Sequence, residues 1–154
     1  MPEFRLLHAS GTALMDNIDE FNLAAAFVFN ELHLRFPQPI PLDYSRASNR
    51  PDGVDQDVMN ATVEWLSAEG IIRTGEVLKA LTGPVIFARV VLSNKGLQLL
   101  GATPHALKGK SSYGAALREE IGKGALDAAK DLVKELLTTA VASGVAHARA
   151  TIGL

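Results

Sequence analysis

Cysteine is absent from all 154 residues. That gap removes a disulfide framework, an iron–sulfur cluster, a thiolate zinc site and a cysteine nucleophile together. Aromatic residues are scarce, at 6% with a single Trp, so a core has to be built from Leu, Ile, Val and Ala. Neither sign of charge prevails, with 15 Lys and Arg against 17 Asp and Glu. Proteins that grip nucleic acid through its phosphates usually carry a basic surplus, so any basic patch here has to be local. Residues 111–154 hold five basic and five acidic side chains, which places the small acidic excess in residues 1–110. No window of about 20 residues is apolar enough to span a bilayer. Residues 1–13 lack the charged start, long apolar run and cleavage site of a signal peptide. The expected address is the cytoplasm, and a membrane is not an expected partner.

Hydrophobic residues make up 47% of the chain, ample for a packed core. The length suits one domain, or one small domain with an appendage. Phe4–His8 suits a short strand. Asp16 or Asn17 can cap a helix in which Ile18, Phe21, Ala25, Val28 and Leu32 form one apolar stripe, and Phe36-Pro37 ends it. Leu42–Ala47 reads as a short helix before the turn formers Ser48–Gly53. A second strong helix runs from about Val54 to Glu69, with Val58, Thr62, Trp65 and Leu66 near one face and Gly70 as its stop. Beyond Gly70 the period shortens. Ile71–Arg73 and Val85–Leu92 are β-branched and read as a hairpin around Thr82-Gly83-Pro84, and Ser93 or Asn94 caps a short helix, Lys95–Leu100.

Two segments, Val63-Glu64-Trp65-Leu66-Ser67-Ala68-Glu69-Gly70-Ile71-Ile72 and Leu92-Ser93-Asn94-Lys95-Gly96-Leu97-Gln98-Leu99-Leu100, carry a likeness. Over residues 16–101 the chain resembles the winged-helix superfamily, without singling out one family. There the third helix commonly ends in a Leu-x-x-x-Gly-Leu-Ile-like turn into the wing, and a Leu-Thr-x-x-Gly-x-x-Leu-like helix follows. The resemblance implies an α+β, mostly helical chain: a winged-helix-like domain with a β-hairpin wing over residues 1–101. A linker over 102–112 and a long amphipathic helical tail over 113–154 complete the reading. It also implies a non-catalytic regulator whose third helix enters the DNA major groove.

The outward positions of that helix are Gln56, Asp57, Asn60, Glu64 and Ser67, none of them basic. Cations lie around it instead: Arg46 and Arg50 before it, Lys79 in the wing, and Lys108 and Lys110 in the linker. With Gln56 and Asn60 these are the candidate DNA contacts, and ordinary solvated charge is the competing reading. Duplex DNA and a protein partner both remain open.

Catalytic and metal motifs fail on inspection. Asp52–Asp57 imitates the start of a calcium loop, but the twelfth position is Val63 rather than Glu. Gly109-Lys110-Ser111 imitates the end of a phosphate loop, but the earlier glycine is replaced by Pro104. The four histidines have no ligand spacing, and no serine sits in an elbow motif. Neither an enzyme, nor a cofactor, nor a metal is expected.

From Tyr113 to about Ala148 the chain reads as helix, with Leu117, Ile121, Ala125, Ala128, Leu132, Leu136 and Ala140 along one face. Glu119/Lys123 and Lys123/Asp127 are spaced to pair. At about 1.5 Å per residue such a helix would span roughly 50 Å, against a radius of gyration of about 13 Å for a domain of this size. It either bends back at Gly122-Lys123-Gly124 onto its own domain or is covered by another chain. Self-association along that face, most simply as a homodimer, is the expectation.

Overall fold

The computed structural model describes residues 16–79, 81, 83–102, 104 and 111–152, as backbone alone from 141. Phe4–His8, Lys108 and Lys110 lie outside the described residues.

Helix α1 (Asn17–Arg35) starts where Asp16 accepts the Asp19 amide at 2.8 Å, with Asp19 and Glu20 in its positive first turn. Its burial is wider than the stripe expected. Leu23, Ala24, Ala25, Ala26, Val28, Phe29 and Leu32 are all buried, whereas Ile18 is exposed. The alanine run lets other elements approach α1 from several sides, and it forms the centre of the molecule. Helix α2 (Gln56–Ala68) and the sheet pack on it, as do three later helices.

Residues Leu42–Ala47 do not form the helix expected of them. Ile40–Asp43 is a strand, β1, followed by a single 3-10 turn at Ala47–Asn49. The strand wins because Ile40 and Leu42 gain a buried face and a ladder with β4 (Val85–Leu92). β4 is the middle strand. β1 pairs antiparallel on one edge, and β2 (Ile72–Arg73) and β3 (Val77–Lys79) pair antiparallel on the other. Along β2 and β3 the register is continuous, from Ile72 opposite Leu92 to Lys79 opposite Val85. The expected hairpin is therefore present, with the extra strand β3 inside its loop. Against β1 the register slips between Ile40 and Leu42, and Arg89 sits there at φ 55°, the mark of a β-bulge.

Helix α2 closes on Gly70, whose φ of +75° lets the Ile71 amide reach the Leu66 carbonyl at 3.0 Å. Helix α3 (Asn94–Gly101) is capped by Ser93, whose hydroxyl accepts the Gly96 amide at 3.1 Å. The same hydroxyl lies 2.6 Å from the Gly70 carbonyl and 2.8 Å from that of Ile71. The end of α2 and the start of α3 are thus one joint.

The tail is two helices, α4 (Tyr113–Lys123) and α5 (Leu126–Ile152), separated by Gly124 in the left-handed region at φ 77°. Its break makes a helical hairpin. The hairpin packs on α1, with Tyr113, Leu117, Ala129, Val133 and Leu136 joining the single core. Lys123 pairs with Glu119 at 3.1 Å and Glu120 at 3.5 Å. Asp127, beyond the break, pairs instead with Lys130 at 3.1 Å. The fold is mixed α and β, with five α-helices and a small antiparallel sheet among the described residues. None of those helices is long and apolar enough to cross a membrane.

Candidate functional site

Arg50, a candidate phosphate contact by sequence, is occupied within the fold. Its Nε donates to the Val54 carbonyl at 3.1 Å and its terminal nitrogen to the Tyr44 carbonyl at 2.7 Å. These bonds close the turn between β1 and α2. Arg46 is exposed just after β1, where Ser45 holds Asp43 through its amide at 3.0 Å and its hydroxyl at 2.7 Å. Those two bonds, with a smaller contribution from Arg46, lower the Asp43 pKa. Lys79 is exposed at the end of β3. Asp43 pairs with Ile86 and Lys79 with Val85, so Arg46 and Lys79 flank the same end of β4. Gln56 is exposed in the first turn of α2, and Asn60 is half-buried with its Oδ1 enclosed. Arg73 and Arg89 are exposed cations on the hairpin that no motif in the sequence marks. Lys95 is equally unmarked in the sequence, and its ammonium lies 3.3 Å from the Glu69 carbonyl.

Helix α2 presents a different chemistry. Asp55 caps it by accepting the Val58 amide at 2.9 Å, so its start is settled locally. Met59, Thr62, Val63 and Leu66 face the core, and this turns Trp65 outward to 41% exposure. Trp65 was expected on the buried face and is instead the wall of a groove. Its indole meets the Phe21 ring edge-on, with centroids 5.1 Å apart and planes at 81°. Ile18, Val58, Ala61 and Thr62 complete an apolar cleft of about 430 Å³ between the start of α1 and the outer side of α2. Ile18 is 59% exposed there. From Asp55 to Glu69 the segment carries Asp55, Asp57, Glu64 and Glu69 and no Lys or Arg.

No family model, curated protein or solved structure matches this chain. Among the described residues, no group of three or more His, Asp and Glu is placed to hold a metal.

Of the seven tail positions proposed for self-association, Leu117, Leu136 and Ala140 are buried on their own domain. Ile121 and Ala125 are half-buried near the α4–α5 turn, and Ala128 and Leu132 line a second groove between these helices. Alternative uses of the tail could be read from its length alone, but which residues face inward depended on the turn at Gly124.

Proposed function

We propose that this chain is a non-catalytic, winged-helix-like interaction module that docks a partner protein over the cleft formed by α1 and α2. The winged-helix part is supported by a long helix that turns at Gly70 into a β-hairpin, with β4 between β1 and the β2–β3 strand; the short helix expected before that long helix is replaced by β1 and a single 3-10 turn. The observation that carries the docking reading is the outward surface of α2. It offers exposed Trp65 beside Ile18 and carries acids without a single cation. DNA phosphates would meet like charge there, whereas a buried aromatic anchor with an apolar surround is what a protein interface needs.

The second reading is a regulator that binds duplex DNA as a homodimer held by its tail. Arg46 and Lys79, both exposed at one end of β4, favour it. One paired experiment separates the two. In the docking reading, the immobilised full chain captures a protein partner, Ile18→Ala with Trp65→Ala abolishes that capture, and Arg46→Ala with Lys79→Ala leaves it intact. A low-salt band shift of random duplex DNA that depends on Arg46 and Lys79 would transfer the function to DNA.

A further inference from the structure

The hairpin of α4 and α5 carries a groove of about 350 Å³, distinct from the cleft on α1 and α2. Its floor is apolar and small: Ala116, Ala128 and Leu132. Its rim is acidic: Glu119 and Glu120 from α4, and Asp131 from α5, with Glu135 lining the far end close to Tyr113. Over residues 111–140 the two helices also carry Arg118, Lys123, Lys130 and Lys134, yet none of these cations lines the groove. Positive and negative charge are nearly balanced on the hairpin as a whole but segregated around this one channel. Lys123 reaches Glu119 and Glu120 from outside the lining: its pair with Glu119 is exposed on both sides and holds little energy, and its pair with half-buried Glu120 is longer, at 3.5 Å.

From this segregation we infer that the α4–α5 groove takes a basic amphipathic helix from a partner protein. Two helices with small residues facing the channel leave room for a third to pack into the ridge between them. Ala128 to Glu135 spans about two turns, so the occupant presents leucine-like anchors at three- and four-residue steps, with Lys or Arg flanking them. A second copy of this chain fits poorly. Symmetric pairing would set Glu119, Glu120 and Asp131 of one copy against the same carboxylates of the other, and like charges across an interface are repulsive.

The test uses the full chain and a fluorescein-labelled synthetic peptide that places leucine on one helical face and lysine on the other. Anisotropy should rise to saturation at one peptide per chain and weaken as salt is raised. Leu132→Glu, which replaces the largest apolar side chain of the floor with a carboxylate where the leucine anchors would seat, should weaken binding about tenfold or more. Glu119→Lys with Asp131→Lys should do the same and flatten the salt dependence. Because both of these carboxylates are exposed, that variant keeps its fold. Asp57→Lys with Glu64→Lys, on equally exposed acids of α2, should leave the affinity unchanged. The inference is overturned by an absence of binding, or by equal losses from the α2 and hairpin reversals, which would mean unspecific attraction. A wild-type dimer that Leu132→Glu converts to monomer would overturn it as well, because a second copy would then fill the groove.

Discussion

Gly96→Ala probes the joint between α2 and α3 most directly. A Cβ built on Gly96 would lie 2.2 Å from the Ile71 carbonyl oxygen and 3.2 Å from a Leu92 methyl. The first is backbone and cannot swing aside. Reaching ordinary contact requires α3 to retreat by roughly 1 Å, and overpacking of this kind costs about 1–3 kcal/mol. The retreat also stretches the bonds that knit the joint, Ser93 amide to Ile71 carbonyl at 3.1 Å and Ser93 hydroxyl to the same carbonyl at 2.8 Å. Against this, alanine is the better helix former by up to about 1 kcal/mol. The net loss is about 1–2 kcal/mol, which in a chain of this size lowers Tm by roughly 3–8 °C. Gly122→Ala is the control. It lies inside α4 with nothing within 4 Å of the added carbon, so only the propensity gain of about 0.5–1 kcal/mol remains. Thermal unfolding followed by circular dichroism reads both. If Gly96→Ala melts at or above the wild type, the close approach at Ile71 is wrong and so is the joint.

Arg50→Ala should destabilise the chain by about 1.5–3 kcal/mol in urea titration, since it strips a charged donor from the Tyr44 and Val54 carbonyls; a loss below a few tenths would return Arg50 to the solvent-exposed class. Glu31 accepts the Tyr44 hydroxyl at 3.2 Å, yet burial outweighs that bond and raises its pKa. The folded chain therefore binds this proton more tightly than the unfolded chain, and the stability associated with it is full below the ordinary value of 4.5 and is lost as pH rises through the raised one. Glu31→Gln should accordingly raise Tm at pH 7 and change it little near pH 4; the opposite pattern would show that the carboxylate is stabilised where it lies. His33 is the mirror case. Burial first and Arg118 second lower its pKa, so its contribution is present above the ordinary 6.5 and is lost as pH falls through the lowered value. His33→Gln should flatten the loss of Tm on acidification through that window, and an unchanged slope would rule out the coupling.

What the sequence determined by itself was local. Asp16, Asp55 and Ser93 each accept an amide three residues ahead, Gly70 relieves a left-handed backbone, and the β-branched run after Gly70 prefers extended geometry. Each depends on atoms within a turn or two, so helix ends and the hairpin were legible without coordinates. A chain whose alanines 24–26 and Phe29 join the expected stripe is also apolar on more than one side, a readable signal that α1 is central. The tertiary structure decided the rest. Ile40–Asp43 became strand because β4, more than forty residues away, supplied its ladder, against a local preference too weak to choose. The same non-local packing turned Trp65 outward, spent Arg50 on two carbonyls and folded α5 back on α1. Helical spacing states which residues share a face. Only the partners that reach that face first decide which part of it is left for another molecule.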